Sequence, residues 1–364
     1  MCAHERQKSK SPTPPLQEAL AENPLEADDN LPDDDSAYAI SENSGSYQTS
    51  LASSIINYKY VVQSSPQLSL TNTCFGDTDM RMDVATMLSV QAPIYWYPND
   101  DTEQDRMDLV HHLYRLLLGG KLFLAPIPDE PHRVLDLGTG TGIWAMDFAD
   151  EYPSAEVIGT DLSPIQPKWT PPNCLFEVDD FEAEWLYTKP FDFIHARELE
   201  GCISDDDELF RRAFLHLAPG GYIEFQAANP RWMSDDGTAD KAENAQSWLK
   251  VLLEGSAKFG KPLEIAVDWK GKMEKAGFVD VQQEVRKMPI GAWPKDPKLK
   301  EMGRYQGVQQ IQAVESYTPR LFSTVLGWTE EEIQVYVAKV RKDLKNPSIH
   351  LYLPIYFVWG RKPE

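Results

Sequence analysis

The chain has 364 residues, 42% of them hydrophobic and 11% aromatic, enough to bury a core in one large domain or two smaller ones. Its 35 basic and 57 acidic residues leave a net charge of −22, which argues against a phosphate-backbone partner, so no direct nucleic-acid contact is expected. No stretch approaches the roughly 20 apolar residues of a membrane span, no secretory signal opens the chain, and Cys2, Cys74, Cys174 and Cys202 lack C-x-x-C spacing. No membrane partner, metal site or disulfide framework is therefore expected, and the location expected is the cytoplasm or the nucleus.

Residues up to about 50 are rich in Ser, Pro, Asp and Glu. They carry too little apolar surface to offset their ordering entropy, which predicts disorder. Residues 51–94 show no sustained period beyond a short strand candidate over 55–62. Together 1–94 read as a largely disordered or irregular region, with one ordered domain over 95–364.

Order begins at Tyr95-Trp96-Tyr97-Pro98-Asn99-Asp100, where Asn99 or Asp100 can cap a helix running to about Leu118. Met107, Val110, Leu113, Tyr114 and Leu117 form its apolar stripe. His111, four residues after Met107, belongs partly to the core face. His112, four after Asp108, suits a surface pair. From His132 strands and helices alternate. Strands are predicted over 133–137, 156–161, 174–178, 191–195, 222–227, 278–286 and 349–359, and helices over 143–152, 205–217, 241–259 and 268–276. Two aromatic-rich insertions, near 229–262 and 291–347, interrupt the pattern. They could close over a substrate or merely buttress the sheet.

Chemistry concentrates at Asp136-Leu137-Gly138-Thr139-Gly140-Thr141-Gly142. A strand feeding a glycine turn into a helix cradles nucleotide-like ligands, because glycine lets backbone N–H groups approach without a Cβ in the way. The dinucleotide fingerprint is G-x-G-x-x-G; here the spacing is G-x-G-x-G. Asp161 ends the second strand, where a carboxylate can accept both ribose hydroxyls of either NAD or S-adenosylmethionine. Asp179-Asp180-Phe181 follows the third strand and suits an adenine, the acid receiving N6 and the ring stacking. Gln166 could also reach the adenine edge. Leu217-Ala218-Pro219-Gly220-Gly221 turns a helix into the next strand.

Together these features resemble the class I S-adenosylmethionine-dependent methyltransferases. The resemblance implies an α/β, Rossmann-like seven-stranded sheet with a reversed last strand, S-adenosylmethionine as cofactor, and a glycine loop that meets the methionine moiety. Tyr97-Pro98-Asn99-Asp100, His111-His112, Ala125-Pro126-Ile127, Gly159-Thr160-Asp161-Leu162-Ser163-Pro164, His195-Ala196-Arg197, Ser234-Asp235-Asp236-Gly237 and Trp293-Pro294-Lys295 are similar to the fungal LaeA-like members, over roughly 95–364. The cofactor-binding set expected is Tyr97, Asp136, Gly138, Thr139, Gly140, Gly142, Asp161, Leu162, Gln166, Asp179, Asp180 and Phe181. Two departures stand out. Residues 61–93 read unlike the family and suggest an insertion or a retained intron. Glu198 and Glu200 follow His-Ala-Arg where the family more often has apolar or aromatic residues.

Methyl transfer is an in-line displacement in which the cofactor carries the hard chemistry, so no catalytic triad is required. If the acceptor is a hydroxyl, His195 or His112 would be the base, and Arg197 could bind an acceptor carboxylate. The expected function is methylation of a small molecule of fungal specialised metabolism at oxygen, nitrogen or carboxyl. The alternatives are a LaeA-type nuclear regulator working through protein partners, and a nucleotide-dependent oxidoreductase.

Overall fold

The computed structural model describes Leu20, residues 23–28 and residues 99–364. Helix α1 (Asp101–Leu117) starts where its cap dictates: the Asp100 carboxylate accepts from Glu103 N at 2.9 Å. The chain then builds β1 (Arg133–Leu137), α2 (Ile143–Glu151), β2 (Glu156–Asp161), β3 (Cys174–Val178), β4 (Phe191–Arg197), α3 (Asp206–His216) and β5 (Leu217–Ala228). After it come α4 (Glu243–Phe259), α5 (Trp269–Ala276), β6 (Val279–Pro289), α6 (Pro297–Leu326), α7 (Glu330–Leu344) and β7 (Tyr352–Arg361).

The strands form one seven-stranded sheet in the order β3-β2-β1-β4-β5-β7-β6. The first five run parallel, and β7 inserts antiparallel to both β5 and β6. This is the sheet with a reversed last strand that the motifs implied. Period 2 decides the layers. Val134, Val157 and Phe193 pack with Trp144 and Phe148 of α2, whereas Leu135, Ile158 and Ile194 pack with Phe210 of α3 and Trp269 of α5. Each such buried aromatic contributes about 2–3 kcal/mol of transfer free energy.

The two insertions form a helical roof. Helices α1, α4, α6 and α7 pack around Leu113, Trp248, Val314 and Phe322, against Ile355 and Phe357 on one face of β7. Helix α6 opens at Asp296, which accepts from Lys298 N and Leu299 N, with Pro297 in the first turn. Its approach to the sheet depends on Gly303, where a Cβ would lie 2.0 Å from the Gly291 carbonyl oxygen. Gly327, at φ 74°, stops it, and a capping box at Thr329 and Glu332 starts α7.

Four boundaries differ from expectation. Leu217–Gly221 is not a turn: Leu217 already pairs with Phe191, and the register shifts before Tyr222 pairs with Phe193. Strand β4 runs on to Arg197 and β6 to Pro289. Strand β7 starts at Tyr352 rather than 349, because Ile349 N bonds to Asn346 O and His350 N to Thr238 Oγ1 instead of joining the sheet. The disorder expected near the N-terminus has an exception. Asp28 N donates to Trp293 O, Lys295 N to Glu26 O and Leu25 N to Asp235, so residues 23–28 are fastened beside the start of α6. The strand candidate over 55–62, the unusual stretch 61–93 and the domain start at Tyr95 lie outside the described residues.

Candidate active site

The glycine loop leaves β1 between the carboxyl ends of β2 and β4. Gly138, Gly140 and Gly142 take φ of 60°, 57° and 79°, the left-handed region that side chains resist. A Cβ on Gly138 would sit 2.4 Å from Leu199 Cδ2, and one on Gly140 would sit 3.0 Å from Met107 Sδ. The loop is tied down at each end. Thr139 N donates to Thr160 O, and Gly140 N donates to Asp161 Oδ2 at 2.9 Å. Asp136 accepts from Thr139 Oγ1 at 2.6 Å and lies 2.7 Å from His195 Nδ1.

One cavity of about 230 Å3 runs from this loop to the underside of α6. Asp136, Gly138, Thr139, Gly140, Asp161, Leu162, Asp180 and Phe181 line one end, so most of the expected cofactor set converges. Asp161 also accepts from Ser163 N at 2.9 Å. Burial pushes its carboxyl above the ordinary value, against the pull of those backbone donors. Gly142 does not line the cavity; its role is the turn, since a Cβ there would meet Phe176 Cζ at 2.3 Å. Gln166 and Asp179 are also placed off the wall. Gln166 clips the loop by donating to Gly140 O and Ser163 O, and Asp179 Oδ1 is occupied by Asp180 N. Of the acidic pair, Asp180 is the one that faces the cavity. Tyr97 lies outside the described residues.

The catalytic candidates separate. His112 is not on the cavity wall; its ring meets Tyr305 edge-on at 5.2 Å beneath α6. His195 borders the cavity but is fully buried, stacked on Trp144 at 3.6 Å with 4° between the rings. Burial lowers its basicity, against the pull of the Asp136 carboxylate. Arg197 donates to His111 Nδ1 at 2.9 Å and lies 5.2 Å over the Tyr114 ring. His111, read as a core residue, is fully buried against Asp147 at 3.0 Å.

Gln306, Gln309, Gln310 and Ala313 were not singled out from sequence, whereas Trp232, Trp248 and Tyr317 belong to the aromatic-rich insertions expected to close over a substrate or buttress the sheet. Gln306, Gln309, Gln310, Ala313 and Tyr317 descend one face of α6 into the cavity. Their spacing of three and four was the available signal, hidden because glutamine in a helix normally reads as solvated. Arg106 lies beneath them, held by Glu103 through bonds of 2.7 and 3.0 Å and stacked 5.2 Å from the Tyr317 ring. Trp232, Trp248 and Leu252 complete an apolar wall.

A methyltransferase-domain family model matches residues 109–283. The methyltransferase pytC of Aspergillus terreus is 41% identical over 270 residues, covering 74% of this chain and 83% of that protein. The chain belongs to the fungal LaeA-like S-adenosylmethionine-dependent methyltransferases. Within this family, the secondary metabolism regulator LAE1 of Cochliobolus heterostrophus is 36% identical over 278 residues, 74% of this chain and 91% of that protein. The protein-methionine methyltransferase laeA of Emericella nidulans is 33% identical over 274 residues, 74% and 73% respectively. This LaeA-like methyltransferase uses S-adenosylmethionine, and its own residues fit that cofactor. The loop offers a cradle that any Cβ would fill, and the carboxylates beside it suit ribose hydroxyls and a cationic ligand. Among the described residues, no helix is long and apolar enough to cross a membrane.

Proposed function

We propose that this methyltransferase of fungal secondary metabolism methylates a small molecule, at oxygen, nitrogen or a carboxyl group, rather than a protein side chain. The observation that carries this reading is the acceptor end of the cavity. Its walls are deeply buried side chains, Trp232 at 4%, Trp248 at 1% and Gln306 at 3% exposure, and they suit a compact apolar molecule with a few polar groups.

In this reading Asp161 receives the ribose hydroxyls, Asp180 and Phe181 hold the adenine, and Asp136 faces the methionine amine. When bound, S-adenosylmethionine supplies an electrophilic methyl group on a sulfonium. The chain's part is to bind, orient and exclude water. His195 and Arg197 are positioning residues: His195 steadies Asp136, and Arg197 ties β4 to α1 through His111. The protein would work in the cytoplasm or the nucleus.

The test incubates the purified full-length protein with isotopically labelled S-adenosylmethionine and an extract holding both metabolites and proteins. Label in low-molecular-mass products supports the reading. Label confined to proteins overturns it and favours the regulator's role named for LAE1.

A further inference from the structure

Beyond Arg197 the last turn of β4 brings two carboxylates to the wall between the cofactor end and the roof. Glu198 sits at φ 57°, a left-handed conformation that costs a non-glycine residue about 1–3 kcal/mol. The surroundings hold both side chains. Tyr114 Oη from α1 donates to Glu198 Oε1, and Ala228 N at the end of β5 reaches Glu198 Oε1 at 3.3 Å and Glu200 Oε1 at 3.2 Å. Both residues line the cavity, and Glu200 is 7% exposed.

An independent observation lies on the roof. Gln309 lines the same cavity at 6% exposure, and its Oε1 has no hydrogen-bond partner among the described residues. A buried orphan acceptor costs about 1–3 kcal/mol unless a ligand supplies a donor. Arg106 Nη1, equally buried, is an orphan donor. Because Glu103 neutralises that guanidinium, its free N–H suits a carbonyl or hydroxyl oxygen.

We propose that the methyl acceptor is an amine carrying a nearby carbonyl or hydroxyl oxygen, and that Glu198 and Glu200 bind its nitrogen and take its proton. This rests on the small-molecule reading above. A carboxylate acceptor would have to lie beside the negative charge that the buried pair shares, whereas an ammonium is drawn there. Burial and the Glu198 charge push the Glu200 carboxyl well above the usual range, so the pair shares one proton and keeps one negative charge to draw the ammonium and take its proton. Tyr114, Arg106, Arg197, Tyr317 and the Glu103 carboxylate that pairs with Arg106 are titratable groups around the pair. The acceptor ammonium gives one proton to the pair. Its freed lone pair forms the N–CH3 bond as the CH3–S bond breaks, and that electron pair stays on sulfur. The apolar wall of Trp232, Trp248 and Leu252 fits an aryl or alkyl body on the amine.

The test is calorimetric and needs no turnover. Full-length protein loaded with S-adenosylhomocysteine is titrated with phenylalaninamide, 3-phenylpropionamide and 3-phenylpropionate. These share a phenyl body and differ in the amine and the charge. The amine should bind at least about tenfold tighter than the other two, the scale of one charge-assisted hydrogen bond. E198Q and E200Q should each weaken that preference and the double variant should erase it, all keeping S-adenosylhomocysteine affinity. Should one variant fail to fold, the others and the wild-type comparison still decide. Equal or tighter binding of the desamino amide or the acid overturns the proposal, as does binding of none of the three or a preference undiminished in the variants. Failure to bind S-adenosylhomocysteine at all would instead sink the assignment of the cofactor end.

Discussion

The two ends of the cavity are held together by different means. At the cofactor end the backbone does most of the work: three glycines at positive φ, and amides of Thr139, Gly140 and Ser163 bonded to β2 and Asp161. All of it comes from residues 136–166, with Asp180 and Phe181 just beyond. At the roof end side chains do the work. Trp248 stacks on Trp232 at 5.4 Å and 10° and donates to Thr318 Oγ1, while Arg106, Glu198, Gln309 and Tyr317 arrive from three separate elements. A site fixed by backbone conformation tolerates little change, whereas one made of side chains on packed helices can be re-equipped for a new acceptor. If so, damage at one end should leave the other end's binding intact.

The largest expected effect is at the cofactor end. Asp161→Ala removes the acceptor of two loop amides and, in the proposed role, two ribose contacts. Hydrogen bonds to a charged group are worth about 1.5–3 kcal/mol each, so S-adenosylhomocysteine affinity should fall about a thousandfold. Calorimetry measures it. Affinity within a few-fold of wild type would take Asp161 out of the ribose site, and lost affinity for phenylalaninamide as well would mean the two ends are not independent.

This division also explains what could be read from the sequence. The loop, Asp161, Asp180 and Phe181 were legible because glycine spacing and strand ends are local signals, and the sheet followed from them. The cap at Asp100 and the helix to Leu117 were local too. The roof's inward face was not legible. Gln306 and Gln309 become cavity residues only because Gly303 lets α6 pack against Gly291, a contact no local window contains. His112 misled for the same reason: α6 covers it through Tyr305. Glu198 and Glu200 stood out as departures from the family pattern, but their meeting with Tyr114 and Ala228 needed the fold.

The next effect belongs to the roof. Trp248 is 1% exposed, and Trp248→Ala leaves a cavity between α4 and α6 and strips Thr318 of its donor. A loss of about 3 kcal/mol in unfolding free energy is expected. Urea titration measures it, and the folded fraction should keep S-adenosylhomocysteine affinity within about twofold, below 0.5 kcal/mol. A larger drop in cofactor affinity would show that the roof shapes the loop.

The smallest effect lies at the seam where α1, α2 and β4 meet. His111 Nδ1 accepts from Arg197, so the ring proton sits on Nε2 and points to Asp147, and the imidazole is neutral. Burial first, and then the Arg197 charge, lower its pKa from 6.5 to about 4. The unfolded chain therefore binds a proton below pH 6.5 that the folded chain refuses until pH 4. The stabilisation is complete above pH 6.5 and drains away as pH falls through that window. Between pH 7 and 5 this amounts to about 2 kcal/mol. Glu224, buried and raised to about 7, pulls the opposite way, because folding holds its proton while the unfolded chain releases it. The informative measurement is thus the difference between wild type and His111→Gln, whose amide can serve both Asp147 and Arg197. Urea titrations at pH 7 and 5 should show the variant losing about 2 kcal/mol less than wild type over that step. Parallel losses would mean that His111 is charged in the folded protein, and Arg197 would then have to turn away from α1 and release β4 from the seam.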